Sequence, residues 1–265
     1  MGNIGPYAAS DGFGVDQTDP VAGNVYDGAT GAPEIQWTNN TRSVKANWSG
    51  FTDTYSGIDF YEYAIGTPTS DVGVVAWTAV DTNLTIFHDN ISLVNGVHYH
   101  ISVRATDGVG NASLIARSNG FTIDTDDAMI SSIIEGDQTD DWDYQQTDTS
   151  IILAWLGSDA ASGVASYEYA VGTHPDSINI VTWTNAMLAT DTTITGLSLT
   201  EGTITYYSSV RVTDAAGNLS EKYSGDGIIV DLTAPVTGTI IDGLTTELSY
   251  TGSNSVLSSS WQGFF

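Results

Sequence analysis

One stretch of this chain occurs twice. Residues 56–67 read Ser-Gly-Ile-Asp-Phe-Tyr-Glu-Tyr-Ala-Ile-Gly-Thr, and residues 162–173 read Ser-Gly-Val-Ala-Ser-Tyr-Glu-Tyr-Ala-Val-Gly-Thr. The matches Tyr61/Tyr167, Glu62/Glu168, Tyr63/Tyr169, Ala64/Ala170 and Gly66/Gly172 all fall at one offset, 106 residues. An internal repeat of that length decides the architecture before any other argument. A unit of about 107 residues is long enough to bury its own core, so it predicts beads on a string and not solenoid turns.

A second set of equal spacings places the units. Gly2-Asn3, Gly110-Asn111 and Gly217-Asn218 each begin 14 residues before an aspartate: Asp16, Asp124 and Asp231. Near the other end, Trp261 aligns with Trp48 and Trp155. The expected organisation is therefore a last strand of a preceding partial repeat at 1–15, repeat one at 16–123, repeat two at 124–230, and the first strands of a following partial repeat at 231–265. The junctions Asp16-Gln-Thr-Asp-Pro20, Asp124-Thr-Asp-Asp127 and Asp231-Leu-Thr-Ala-Pro235 are short and lack a Gly/Ser-rich run, which predicts stiff joints.

Inside each unit the hydrophobic period is two. Ser43–Trp48, Tyr99–Ala105 and Tyr207–Val212 alternate polar and apolar residues, and Thr149–Trp155 does so more weakly. Short strands separated by Gly, Asn, Asp and Ser turns every 8–12 residues predict an all-β fold of tandem seven-stranded antiparallel β-sandwiches. No stretch reads as an amphipathic helix.

These residues resemble the fibronectin type III module, in the form used as tandem extracellular repeats of large bacterial, adhesin-like surface proteins. Trp48 and Trp155 stand where that family keeps a core tryptophan at the end of its second strand. Tyr61-Glu-Tyr63 and Tyr167-Glu-Tyr169 match its third strand. Leu93, Asn95-Gly96 and Tyr99, with Leu199, Glu201-Gly202 and Tyr206, resemble its tyrosine corner. Val103–Asp107 and Val210–Asp214 resemble the strand that follows. The corner lacks its proline in both units, and repeat two has one residue more before its tyrosine. The resemblance implies a sandwich fold, an extracellular or cell-surface setting and no catalysis.

Charge narrows the partners. With 6 Lys+Arg against 32 Asp+Glu, the net charge of −26 repels nucleic-acid phosphates and anionic lipid. Neither nucleic acid nor membrane insertion is expected; neighbouring repeats of the same chain, glycans or other surface proteins are. Cysteine is absent, so there is no disulfide or thiolate metal site. The four histidines do not recur between the repeats. His98 and His100 share one strand face, where a plain exposed strand outweighs a metal pair. No nucleophile elbow or phosphate-cradling glycine loop is present. Asp137-Gln-Thr-Asp-Asp-Trp-Asp143 lacks the alternate ligands, central glycine and closing glutamate of an EF-hand.

One constellation follows from topology. In such a sandwich the start of the first strand, the loop between the second and third, and the loop between the sixth and seventh gather at one end. Each carries an aspartate: Asp16, Asp53 and Asp107 with Asn111 in repeat one, and Asp124, Asp159 and Asp214 with Asn218 in repeat two. The latter two segments read Asp-x-x-Ser-Gly and Asp-x-x-Gly-Asn in both repeats. Converging carboxylates with no recurring Lys or Arg suit Ca2+, which takes six to eight oxygen ligands. Aspartates placed there for Asx-turns are the competing reading. Glu62/Arg104 and Glu168/Arg211 also recur and are expected to pair across the sheet. Trp77 and Trp183 recur as well; facing outward they would stack on sugar rings, and otherwise they pack the sheet. The reading is a non-enzymatic stalk or fibre segment. A carbohydrate-binding accessory module is the alternative.

Overall fold

A computed structural model describes residues 9–137, 139–243, 246, 249–252 and 256–263. The strand expected within 1–15 lies largely in residues 1–8, outside the described residues. Residues 9–23 carry only an isolated bridge, between Val21 and Thr52.

The first unit comprises β1 (Asn24–Asp27), β2 (Trp37–Thr38), β3 (Val44–Ser49), β4 (Ile58–Thr67), β5 (Ser70–Ala79), β6 (Thr85–His88), β7 (His98–Asp107), β8 (Ala116–Arg117) and β9 (Phe121–Ile123). Its sheets run β1-β3-β6 and β2-β9-β7-β4-β5, with β8 also on β7. The second unit repeats this plan: β10 (Met129–Glu135), β11 (Tyr144–Gln145), β12 (Ser150–Ser158), β13 (Val164–Gly172), β14 (Val181–Met187), β15 (Asp191–Thr195), β16 (Thr205–Asp214), β17 (Tyr223–Ser224) and β18 (Ile228–Val230). Its sheets run β10-β12-β15 and β11-β18-β16-β13-β14, with β17 on β16. No helix occurs among the described residues.

The expectation of purely antiparallel sheets needs one correction. The short strands β2 and β11 pair parallel to β9 and β18. The chain leaves the first sheet after β1 or β10 and crosses to the edge of the second. There it runs beside the last strand in the same direction, and covers an edge otherwise open to solvent.

Alternation explains the core. In β3 the burial of Val44, Ala46 and Trp48 alternates with outward Lys45 and Ser49. Trp48 meets Tyr61 edge-on at 5.8 Å, and Trp155 meets Tyr167 at 5.9 Å, so the two cores share one aromatic seed. The tyrosine corners are formed: the Val94 N–H donates to Tyr99 Oη at 3.0 Å, and the Thr200 N–H to Tyr206 Oη at 2.7 Å. In both units the donor is the residue after the corner leucine, and the extra residue before Tyr206 lengthens the span from donor to tyrosine from five positions to six and keeps the bond.

A third pair follows, β19 (Thr239–Asp242) with β20 (Ser259–Gln262). Its register sets Ile240 opposite Trp261, as Val25 faces Trp48 and Ile133 faces Trp155. Trp261 is 72% exposed, whereas Trp48 and Trp155 are 2% and 4% exposed. β19 and β20 thus pair as β1 with β3 and β10 with β12 do, and no further sheet lies against Trp261 among the described residues.

A buried carboxyl ties the first strand of each unit to its last. Asp27, at the end of β1, accepts the Gly120 N–H on Oδ2 at 2.9 Å. Glu135, at the end of β10, accepts the Gly227 N–H on Oε2 at 2.8 Å and the Ser208 N–H on Oε1 at 2.7 Å. In the first unit the N–H corresponding to that of Ser208 belongs to Ile101, and it donates instead to Ser118 Oγ at 3.0 Å. Gly225 stands where Ser118 would be, and a Cβ there would lie 2.4 Å from Glu135 Oε2. Glutamate with glycine therefore does the work of aspartate with serine.

Candidate metal centre

The two aspartate trios come together. One carboxylate oxygen from each of Asp16, Asp53 and Asp107 lies within 4.8 Å of the other two, and the same holds for Asp124, Asp159 and Asp214. Asp16 precedes β1, Asp53 lies in the β3–β4 loop and Asp107 closes β7. Asp124 precedes β10, Asp159 follows β12 and Asp214 closes β16.

Each carboxylate is fixed by its own turn. Asp107 Oδ1 accepts the N–H groups of Val109, Gly110 and Asn111 at 2.8–3.0 Å. Asp214 Oδ1 accepts those of Gly217 and Asn218 at 2.7 and 2.8 Å. Asp53 Oδ1 takes Tyr55 and Gly57, and Asp159 Oδ1 takes Ala161 and Gly163. Asp16 Oδ2 bridges to the Ser56 hydroxyl at 2.7 Å, and Asp124 Oδ2 accepts the Ser162 N–H at 3.0 Å. Asx-turn chemistry and convergence are thus both present. The turns aim the oxygens, and a carboxylate with about four lone-pair sites retains acceptor capacity after these bonds.

Asn111 and Asn218 stand behind the carboxylates as donors. Their Nδ2 groups reach Asp107 Oδ2 and Asp214 Oδ2, each at 2.7 Å. The Asn218 amide also reaches the carbonyls of Asp124 and Asp126 at 3.0 and 3.2 Å, so it ties the β16 turn to the junction.

Two of the carboxylates, Asp16 and Asp107, are shifted toward the ionised form. Asp16 is held below its ordinary value chiefly by the Ser56 hydroxyl, against repulsion from Asp107. Burial pushes Asp107 up, but donation from the Asn111 side chain and from the turn amides outweighs it and the net shift is downward. None of the ion pairs among the described residues involves any of the six aspartates.

The second trio sits where the units meet. Asn95 of the first unit donates to Asp126 Oδ2 at 2.9 Å and accepts the Thr125 N–H at 3.0 Å. The Asn39 N–H donates to the Ala216 carbonyl in the second unit at 3.1 Å. Glu201, at the position of Asn95, repeats the device by accepting from Leu232 N–H and the Thr233 hydroxyl.

The strand order, the parallel edge strand and the tyrosine corner, twice over, decide the fold. The chain is a tandem array of fibronectin type III-like sandwiches. No family model matches it. A curated relative is chitinase A1 of Niallia circulans, 28% identical over 212 residues that make up 76% of this chain and 26% of that protein. The chain spans about a quarter of the length of that relative. Similar solved structures include the FN1–FN3 domains of chicken CNTN1, at 17% identity and a TM-score of 0.40, covering 77% of this chain and 67% of that one. Another is the set of fibronectin(III)-like modules of Clostridium thermocellum CbhA, at 10% identity and a TM-score of 0.41, covering 78% of this chain and 92% of that one.

Across the larger sheet of each type III-like unit runs a Trp–Arg–Glu stack. Arg104 Nε donates to Glu62 Oε2 at 2.7 Å, and its guanidinium lies 4.6 Å over the Trp77 ring. Arg211 does the same with Glu168 at 2.8 Å and with Trp183 at 4.3 Å. One face of each indole is therefore covered by a guanidinium. A double-mutant cycle on Glu62→Gln and Arg104→Ala is expected to give a coupling of about 0.5–1 kcal/mol that shrinks in high salt. A coupling of zero would leave Arg104 as a cover for Trp77 alone.

His98 and His100 do not form a metal pair in this arrangement. His98 is engaged by Thr122 and the Asn119 carbonyl, and His100 by Asp71. Sequence reading missed Asp71, which gathers His100, Ser102 and Arg117 and is held well below the usual carboxylate range chiefly by Arg117. No counterpart in repeat two signalled it. A third acidic group, Glu135, Asp141 and Asp226, also went unread, because its members lie 6 and 85 residues apart in sequence.

Proposed function

We propose that this chain is a non-catalytic spacer segment of an extracellular or cell-surface protein, with successive units held at a fixed angle by Ca2+ at the joints. The observation that carries this reading is the trio of turn-fixed carboxylates at the start of each unit, built the same way twice, with no basic side chain to neutralise it. Ca2+ takes oxygen ligands at 2.3–2.6 Å, a sphere that three oxygens within 4.8 Å of one another can share. Asp124 belongs to the junction itself, so an ion there would couple the junction to two loops of the second unit. The acidic surface keeps neighbouring chains apart.

The test is thermal unfolding with Ca2+ and with chelator, on the wild type and on Asp107→Asn/Asp214→Asn. Ligand that binds only the folded state adds about 2.7 kcal/mol per site at a free concentration a hundredfold above Kd. The expected result is a rise in Tm with Ca2+ that the double variant loses. An unchanged Tm would reduce the aspartates to turn formers.

The similarity to a stretch of chitinase A1 supports a second reading, an accessory module of a secreted glycan-active protein. Sedimentation with insoluble chitin, repeated with Trp77→Ala and Trp183→Ala, separates the two. Loss of binding in the variants would favour the accessory role, and no binding by the wild type leaves the spacer. No helix among the described residues is long and apolar enough to cross a membrane.

A further inference from the structure

At the end of β10 the second unit gathers Glu135, Asp141 and Asp226, one oxygen of each within 4.8 Å of the others. This group is distinct from the joint trios. It lies between the end of the first strand, the loop that follows and the turn ahead of the last strand. Glu135 is fully buried, while Asp141 and Asp226 are exposed. Acidic residues alone would mean little in a chain of net charge −26.

A separate observation points to a ligand. The Ser208 hydroxyl is fully buried and makes no hydrogen bond of good geometry among the described residues, and the N–H of the same residue holds Glu135 Oε1 at 2.7 Å. An oxygen without a partner is costly in the interior unless something fills its lone pairs. The Glu135 carboxyl fills the place that a side chain at position 225 would take, with Oε2 2.4 Å from where a Cβ would stand. Burial pushes Glu135 up and Asp141 adds repulsion, so a nearby cation would relieve both. The two Glu135 oxygens each accept one backbone N–H, which leaves the second lone pair of each for a metal.

We infer that Glu135, Asp141, Asp226 and the Ser208 hydroxyl form a further binding site for a hard divalent cation of calcium's size, peculiar to the second unit. Three carboxylates and one hydroxyl supply four of the six to eight oxygens such an ion takes, and water supplies the others. In the first unit the corresponding positions are Asp27, Glu34, Asn119 and Ile101, which offer one carboxylate fewer and no hydroxyl. The inference stands whether or not the joints hold metal. The ion would staple the loop after β10 to the turn before β18.

Terbium, which occupies calcium's oxygen sites and luminesces when a nearby indole is excited, is the probe. Trp142 is adjacent in sequence to Asp141, and its backbone N–H donates to the Glu135 carbonyl at 2.6 Å. The chain carrying Asp107→Asn/Asp214→Asn is titrated with Tb3+, and ions per chain are counted by native mass spectrometry. One ion per chain, bright on tryptophan excitation and displaced by Ca2+, is expected to remain. Adding Asp141→Asn/Asp226→Asn removes it. Trp142→Phe dims the emission and keeps the count. A joint variant that binds no ion, or a count that survives Asp141→Asn/Asp226→Asn, overturns the site. If the joints themselves bind nothing, wild type and joint variant each hold one ion, so the two readings fail separately.

Discussion

Replacing Asp27 with asparagine is expected to remove a pH dependence of about 3 kcal/mol from the stability of the first unit. Burial pushes the Asp27 carboxyl up to about 6 from its ordinary 3.8, and only the Ser118 hydroxyl, the Gly120 N–H and His98 work against it. A folded-state value above the unfolded one means that the folded chain holds the proton more tightly. The stabilisation is complete below about 3.8 and is lost as pH rises through about 6. At about 1.36 kcal/mol per pH unit, the interval corresponds to about 3 kcal/mol. The asparagine amide of Asp27→Asn stays neutral at every pH and still offers an oxygen to Gly120. Urea unfolding of the first unit at pH 4 and pH 7.5 should therefore show the variant close to wild type in acid and more stable than wild type at neutral pH.

Other groups move the curve in the opposite sense and must be separated. Glu34 repels Asp27 and His98 attracts it, and Lys45 lines the same cavity, of about 210 Å³. Asp16, Asp71 and Asp107 are depressed in the folded state, so their stabilisation is present at neutral pH and fades as pH falls below the ordinary carboxylate value. The wild-type unit should thus be most stable in mild acid. The difference between wild type and Asp27→Asn isolates the buried carboxyl. A difference that does not change between pH 4 and pH 7.5 would mean that the site admits enough water to keep the ordinary value.

Legibility in the sequence followed local pattern. Trp48 and Trp155, the Tyr-Glu-Tyr strands and the corner tyrosines mark positions where one residue type fills one place in the core, and they recur at a fixed offset. The aspartate trios were legible because each member lies in a turn motif that also recurs. β2 and β11 were not, since two residues have no period to read. The Asp27–Ser118 and Glu135–Gly225 pairs were hidden for a different reason. Each unit solves the same problem with different residues, so no alignment of one repeat on the other marks the positions as equivalent. Asp71 and the Glu135 group are private to one unit and join distant segments, which a repeat cannot reveal.

Those exchanged pairs make the largest expected effect on the second unit. Glu135→Asp shortens the side chain to the length used in the first unit. By analogy with Asp27 it keeps the Gly227 N–H and releases the Ser208 N–H into the interior. An unsatisfied buried donor costs about 1–3 kcal/mol, and the vacated methylene adds about 1, so a loss of about 2–4 kcal/mol is expected. Gly225→Ser alone is also destabilising, because its Cβ would sit 2.4 Å from Glu135 Oε2. Together they recreate the Asp27–Ser118 arrangement: the new serine hydroxyl accepts the Ser208 N–H as Ser118 accepts that of Ile101, and the shorter acid makes room for it. Equilibrium unfolding in chelator, with metal excluded, should then show the double variant recovering most of the loss. The coupling between the two changes should be of the order of 2 kcal/mol and favourable. Additive losses would show that the two units close their first and last strands by unrelated means, whereas recovery establishes one latch with two interchangeable forms.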